Sequence, residues 1–317
     1  MVRIVHTRTK NFRFQVKTLA TKLMSIWPER LKVVGLMVYI ALAFLLAFAA
    51  YSALTGSPES KSKKPTTPIP KSTSATSQPN PADQPAPTPP ASSAVYPSNV
   101  INLSNWKLTL PIKAQDDNGP EEIMQPQLAS FAMAPYFQLN PQKNGVVFQA
   151  PVGGVTTQNS KYSRSELREM ASNGYKKASW SSALGINTMT IRQAITHLPA
   201  VKNEVVAGQI HNAEEYIILI RLNGSTLFVQ AEGENIGTLD NNYVLGTVFD
   251  VQISASNGRI RVLYNGSQKA EYTRSGSGYY FKAGCYTQSN PSKGDNPNDF
   301  GQVVIYGLQV SHTEGSF

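Results

Sequence analysis

The sequence predicts an all-β domain over residues 96–317, and three observations lead to that fold class. After residue 100, short runs rich in Val, Ile, Tyr, Phe and Thr alternate with turn signals. Strands do not alternate with helical segments, and no repeat recurs at a fixed period. Asn-Gly pairs, the strongest short-range hairpin signal, occur at 144–145, 173–174, 223–224, 257–258 and 265–266. An antiparallel sandwich, a jelly roll or a barrel fits this pattern.

The predicted strands are apolar runs in which side chains alternate with period two. The clearest of them are Tyr216–Arg221, Thr226–Ala231, Phe249–Ala255, Arg259–Tyr264 and Val303–Val310. Long helical periodicity is scarce, and only Pro126–Met133 is predicted as a short helix. The domain should therefore consist of strands joined by turns.

The N-terminal region predicts a membrane anchor. Residues 33–54 carry no charge, and a bilayer core needs about 20 apolar residues in a helix. Eight Lys or Arg residues and one acidic residue precede this run, so residues 1–32 should form a cytoplasmic basic segment. Residues 33–54 are then a transmembrane helix or signal anchor, and the domain lies on the extracytoplasmic side, periplasmic or extracellular. The alternative is a signal peptide cleaved near Ala49, which would release a secreted protein.

Residues 55–95 are rich in Pro, Ser, Thr and Ala, which predicts a disordered linker. The chain holds 29 Lys and Arg against 20 Asp and Glu, but residues 1–95 hold 12 and 3 of these, which leaves 17 of each in residues 96–317. The domain is formally neutral, so we expect no nucleic-acid partner. The single cysteine, Cys285, excludes an intramolecular disulfide and a cysteine-cluster metal site.

The first segment whose side chains could take part in catalysis or binding is Tyr162–Glu169. On a strand, Arg164, Glu166 and Arg168 share one face because side chains alternate. Two guanidinium groups that flank a carboxylate form a cationic ladder. The alternative is a solvated strand face with an ordinary surface ion pair.

The second segment places Gln209 and His211 on one face of a strand and Ile210 on the other. An amide donor beside an imidazole suits catalysis, although a lone histidine is often structural.

The third segment is a strand with one polar and one apolar face. The residues that alternate onto its polar face are Tyr280, Lys282, Gly284, Tyr286 and Gln288. Phe281, Ala283 and Cys285 alternate onto the core face. We expect Gly284 to leave space for a ligand to approach the sheet. The alternative is an ordinary half-buried strand.

In this order, the three segments resemble the motifs of the alginate lyases of polysaccharide lyase family 7. They read RSELRE at 164–169, QIH at 209–211 and YFKAGCYTQ at 280–288, and NWKLTLP at 105–111 resembles the first strand of that family. Two positions depart from the common pattern, since Cys285 replaces Val or Ile and Thr287 replaces Asn. The resemblance implies a jelly-roll sandwich whose concave sheet holds an acidic polysaccharide, alginate, and cleaves its 1,4-glycosidic bonds by β-elimination.

The resemblance also implies roles for individual residues. Arg164, Gln209 and His211 would neutralise the substrate carboxylate, and Tyr286 would be the acid, or both acid and base. The residues expected to bind substrate are Arg168, Glu166, Lys282, Tyr280, Gln288 and Lys293. Lys293 lies in the loop 289–299, which we expect to border the cleft. No metal or cofactor is expected, and the protein should act as a monomer.

Three alternatives remain at this point. A lyase for another uronate polymer, such as glucuronan, would use the same carboxylate chemistry. A non-catalytic carbohydrate-binding jelly roll would not need a tyrosine beside this cluster. A glycoside hydrolase needs two carboxylates, and Glu232 and Glu234 are the nearest local pair.

Overall fold

The computed structural model describes residues 95–115, 119–313 and 315–316. The predicted basic segment, the predicted membrane helix and residues 55–94 of the predicted linker lie outside these ranges. Among the residues that are described, no helix has the length and apolarity needed to cross a bilayer.

The described part of the chain consists of strands with three short 3₁₀ helices. In chain order, the strands are β1 (Trp106–Lys113), β2 (Pro120–Ile123), β3 (Phe137–Leu139), β4 (Val146–Pro151), β5 (Arg164–Ala171), β6 (Lys176–Lys177), β7 (Ile186–His197), β8 (Glu204–His211), β9 (Tyr216–Asn223), β10 (Thr226–Ala231), β11 (Glu234–Asp240), β12 (Phe249–Ser256), β13 (Arg259–Tyr264), β14 (Ser267–Thr273), β15 (Tyr280–Thr287) and β16 (Phe300–His312). The 3₁₀ helices are Pro97–Asn99, Gln127–Ser130 and Pro291–Lys293.

The strands form two antiparallel sheets that pack face to face. The first sheet has the order β11-β10-β9-β8-β15-β5-β1-β2, with β6 paired to β5. The second has the order β14-β13-β12-β7-β16-β4-β3. The prediction of an all-β, two-sheet antiparallel sandwich is therefore confirmed.

The strand bounds follow the predicted runs closely. β10 and β13 have the predicted bounds, whereas β16 extends beyond the predicted run at both ends. The predicted helix at Pro126–Met133 is a single 3₁₀ turn, Gln127–Ser130.

Two Asn-Gly pairs explain how consecutive strands reverse direction. Asn257 and Gly258, between β12 and β13, have φ angles of 50° and 71°. Asn265 and Gly266, between β13 and β14, have φ angles of 48° and 80°. Two successive positive φ angles produce the tight turn whose twist matches that of the flanking strands, so these pairs determine the hairpin register.

The core lies between the two sheets. From β15, the side chains of Phe281, Ala283 and Cys285 are fully buried in it, as the alternation predicts. Phe148 on β4 and Ile191 on β7 contribute from the second sheet and are equally buried. Each large apolar side chain buried in this way stabilises the fold by about 1.5–3 kcal/mol. The inner face of β15 is thus held firmly, and its outer face can carry polar groups.

The expectation for Gly284 was wrong, because protein atoms fill the space beside it. Gly284 has a φ of 137°, and a Cβ atom there would lie 2.7 Å from the Ser165 oxygen and 2.9 Å from Glu166 Cα. Glycine at this position lets β15 approach β5 closely in a conformation that other residues rarely adopt.

Candidate active site

The three motifs lie on adjacent central strands of the first sheet, in the order β8, β15 and β5. Lys282 is paired with Arg168 on one side and with Gln209 on the other. Tyr286 is paired with Arg164, and Tyr280 with His211. Segments far apart in sequence thus form one polar surface on the face that points away from the second sheet.

A cleft of about 890 Å³ runs over this surface. Strands β1, β2, β5, β6, β8, β9, β10 and β15 contribute to its walls. Loop residues 157–160 before β5, 178–179 after β6 and 213–215 after β8 also line it, together with Gly278 and Gln288 on either side of β15. A groove that crosses so many strands suits an extended polymer better than a compact ligand.

Glu166 lies at the centre of the site, beneath the cleft floor, with 1% of its surface exposed. Its Oε2 atom lies 3.0 Å from Nη1 of Arg164 and 2.5 Å from Nζ of Lys282. Its Oε1 atom accepts a hydrogen bond from Nε2 of Gln209. One buried carboxylate therefore orients the three donors that the motifs contribute.

The buried cluster shifts the pKa values of both ionisable partners. Burial alone would raise the pKa of Glu166, but the charges of Lys282 and Arg164 hold it below its ordinary value. The pKa of Lys282 falls to about 8, chiefly because of burial and also because Arg164 is close. Near neutral pH, the carboxylate is ionised and Lys282 is still mostly charged.

Arg164 also packs against Tyr286. Its guanidinium carbon lies 3.9 Å from the centroid of the tyrosine ring, a cation–π distance. The Nε atom of Arg164 is buried and has no hydrogen-bond partner among the residues described. The Tyr286 hydroxyl lies 3.0 Å from Oγ of Ser160. The phenol is thus held between a cation and a hydroxyl at the cleft surface.

The orientation of His211 is determined by its neighbours. Its Nδ1 atom hydrogen-bonds to the main-chain oxygen of Asn212, which also accepts a hydrogen bond of 2.9 Å from the Tyr280 hydroxyl. Because a carbonyl oxygen can only accept, Nδ1 carries the proton, and Nε2 has the free lone pair when the ring is neutral. The Tyr280 ring stacks on the imidazole, and the Arg168 guanidinium lies 3.8 Å from the centre of the Tyr280 ring.

The environment keeps His211 neutral at ordinary pH. Its pKa falls from the usual 6.5 to about 4, mainly because the ring is buried. The hydrogen bond to Asn212 opposes this shift, and the charge of Lys282 adds to it. His211 is therefore unprotonated, the form that a base requires, across most of the pH range in which proteins work.

Eight of the ten predicted site residues line the cleft, namely Arg164, Arg168, Gln209, His211, Tyr280, Lys282, Tyr286 and Gln288. Glu166 lies beneath them. Lys293 does not line the cleft, although Asn290 in the same 289–299 loop donates a hydrogen bond of 3.0 Å to the main-chain oxygen of Lys161, beside the cleft wall. Asp295 accepts hydrogen bonds from the main-chain nitrogens of Val201 and Lys202.

Several cleft residues were missed from the sequence. Lys107 on β1 lies 2.5 Å from Glu122 on β2, and Arg221 on β9 donates to Gln230 on β10 over 2.7 Å. Ser160 belongs to a loop with no strand pattern. Arg221 could have been predicted as a cleft residue, because it is the one cation in an otherwise apolar run. A lone cation on the outer face of a strand faces solvent or ligand.

The arrangement supplies donors for a carboxylate, a neutral base and a phenol acid in one cleft. Glu232 and Glu234, the pair considered for a hydrolase, do not line the cleft, and Glu232 instead accepts a 2.7 Å hydrogen bond from the Tyr272 hydroxyl. Within the described ranges, no group of three or more His, Cys, Asp or Glu side chains could hold a metal ion.

A β-sandwich whose cationic cleft contains both His211 and Tyr286 has the fold and the site of a polysaccharide lyase of the β-sandwich class. The family model described as alginate lyase matches residues 101–312. The chain belongs to the alginate lyases of polysaccharide lyase family 7. An alginate lyase of Klebsiella pneumoniae is 27% identical over 283 residues, covering 68% of this chain and 91% of that protein.

Solved structures share the fold. Alginate lyase AlgAT5 of polysaccharide lyase family 7 is 52% identical, with a TM-score of 0.67, over 69% of this chain and 100% of that chain. An alginate lyase from Corynebacterium sp. is 44% identical, with a TM-score of 0.66, over 69% of this chain and 98% of that chain. Alginate lyase A1-II′, with a histidine-to-asparagine and a tyrosine-to-phenylalanine replacement, is described in complex with the substrate GGMG. It is 27% identical, with a TM-score of 0.59, over 71% of this chain and 99% of that chain.

Proposed function

We propose that this chain cleaves the 1,4-glycosidic bonds of alginate by β-elimination in the cleft over β5, β15 and β8, and releases unsaturated oligosaccharides. One observation carries the proposal. A neutral His211 and the phenol of Tyr286 line the same cleft as the carboxylate donors Arg164 and Gln209. The A1-II′ complex with substrate adds support, because the two residues replaced in that protein are a histidine and a tyrosine.

The first task is to make the proton on carbon 5 of the uronate acidic. The neighbouring carboxylate is already negative and resists the build-up of further charge. Arg164 offers a fork of donors matched to a carboxylate, and Gln209 offers an amide. Both are held in place by Glu166 before substrate arrives, so they stabilise the developing charge without reorganisation.

The second task is to move two protons, and the stereochemistry decides which groups act. In mannuronate, the carbon 5 proton and the carbon 4 oxygen lie on the same side of the ring. Tyr286 can take the first and protonate the second. In guluronate they lie on opposite sides, so His211 takes the proton through Nε2 and Tyr286 protonates the leaving oxygen.

The remaining polar residues bind the chain. Lys282 and Arg168 neutralise uronate carboxylates, and Tyr280 and Gln288 line the same surface. Glu166 contributes indirectly, because both of its oxygens are occupied by protein donors.

Product analysis tests this proposal directly. Purified protein is mixed with alginate, glucuronan and a neutral glucan. We expect ultraviolet-absorbing unsaturated ends from alginate and none from the glucan. Reducing ends without ultraviolet absorbance would indicate a hydrolase, and a preference for glucuronan would change the substrate. Binding to alginate without cleavage would indicate a non-catalytic module.

The Tyr286→Phe variant tests the mechanism, because it keeps the ring and removes the acid. We expect a loss of kcat of about 100-fold or more with little change in Tm. Activity near that of the wild type would remove Tyr286 from the mechanism.

We further propose that residues 33–54 hold the protein in a membrane, with the lyase domain on the extracytoplasmic side. The uncharged run and the basic residues before it support this location. The full chain should fractionate with membranes, and a shortened protein that begins near residue 96 should be soluble and fully active. A mature N-terminus just after Ala49 would instead show cleavage and secretion.

A further inference from the structure

We propose that Ser160 is a positioning residue for Tyr286, which holds the phenol in the cleft and stabilises its anion during turnover. This inference rests on the proposed role of Tyr286. Ser160 and Tyr286 are 126 residues apart in sequence, and their oxygens lie 3.0 Å apart. Ser160 lies in the 157–160 segment that forms part of the cleft wall.

The hydroxyl of Ser160 has three polar neighbours. Its Oγ lies 2.9 Å from the main-chain oxygen of Tyr162 and 3.1 Å from the main-chain nitrogen of the same residue. The third neighbour is the Tyr286 hydroxyl. A serine hydroxyl can donate one hydrogen bond and accept two, so this geometry uses its full capacity.

The identities of the neighbours determine the direction of each bond while Tyr286 is protonated. The oxygen of Tyr162 can only accept, so Ser160 donates to it. The N–H of Tyr162 can only donate, so Ser160 accepts from it. The second lone pair of Ser160 is then left for the O–H of Tyr286, which is held in one orientation as a donor.

When Tyr286 loses its proton, the same serine can reverse its role. Rotation of the Ser160 hydroxyl takes its hydrogen from the Tyr162 oxygen to the phenolate. A hydrogen bond to a charged oxygen is roughly twice as strong as one between neutral groups, so this bond favours the anion. The Arg164 guanidinium, 3.9 Å from the ring centroid, favours the anion as well.

Substitution of Ser160 can distinguish a positioning role for Tyr286 from a purely structural role, in which the hydroxyl only closes a local turn through Tyr162. We expect Ser160→Ala to lower kcat on mannuronate polymer about tenfold, the rate equivalent of one lost hydrogen bond, with KM changed less than about twofold. Ser160→Thr, which retains the hydroxyl, should restore kcat. Ser292→Ala is the matched control, because the hydroxyl of Ser292 also bonds locally, to Asn290 over 2.6 Å, and does not line the cleft.

A double-mutant cycle with Tyr286→Phe completes the test. If Ser160 acts through the phenol, Ser160→Ala should cause no further loss of the residual activity of Tyr286→Phe. An equal loss in both backgrounds would overturn the proposal and leave Ser160 with a purely structural role, and so would a Ser160→Thr variant that is as slow as Ser160→Ala. A wild type that forms no unsaturated ends would instead refute the proposed function, which keeps the two failures distinct.

Discussion

Replacement of Glu166 by glutamine tests whether one buried carboxylate organises the cationic side of the cleft. The substitution keeps the size of the side chain and removes its charge. In the wild type, Oε2 pairs with Arg164 at 3.0 Å and with Lys282 at 2.5 Å, and only 1% of the residue is exposed. Arg164 and Lys282 would both lose their counter-charge, and water could not solvate them fully because the site is buried.

The cost in stability can be estimated from these contacts. Breaking a buried ion pair by changing one partner costs about 3–5 kcal/mol, and we expect about 3 kcal/mol because Lys282 can release its proton. For a domain of this size, each kcal/mol corresponds to about 2–4 °C, so Tm should fall by about 6–12 °C at pH 7. The pKa of Glu166 is lowered in the fold, so its contribution is present at neutral pH and is lost as pH falls. The difference in Tm between wild type and variant should therefore narrow in acid.

The assay pairs thermal unfolding with initial rates on alginate. Because Lys282 would be neutral and Arg164 misaligned, we expect kcat/KM to fall by at least about tenfold. Glu271→Gln is the matched control, since Glu271 lies between Arg259 and Arg261 on an exposed surface. It should cost no more than about 1 kcal/mol. If Glu166→Gln melts like Glu271→Gln and retains its kcat/KM, Glu166 does not organise the site.

Two further predictions concern the ionisable groups of the cleft. The value of kcat/KM should fall as pH rises through about 8, where Lys282 loses the charge that attracts the substrate, and Lys282→Arg should move this limb to higher pH. An unchanged limb in Lys282→Arg would assign it to another group. His211→Asn should reduce kcat/KM on guluronate blocks more than on mannuronate blocks, because only guluronate needs a second base. An unchanged ratio between the two polymers would mean that His211 only helps to neutralise the carboxylate.

Much of the fold and of the site was predictable from short-range patterns. Period-two alternation correctly assigned the two faces of β15, with Phe281 in the core and Lys282 on the cleft side. The Asn-Gly pairs correctly marked the turns on both sides of β13. Motif order then predicted the family, which the comparisons confirm. These features depend on neighbours within a few residues along the chain, so the sequence alone carries them.

The environment of each side chain was decided only by the tertiary structure. Alternation places Glu166 on the polar face, but only the packing of β8, β15 and β5 buries it under Arg164 and Lys282. The expectation for Gly284 was wrong because β5 approaches β15 there, and the contact of Ser160 with Tyr286 spans 126 residues. Desolvation, pKa and hydrogen-bond partners depend on atoms that the fold brings together from distant strands. A local pattern therefore predicts which residues share a face, and only the folded sheet determines which of them are buried, charged and in contact.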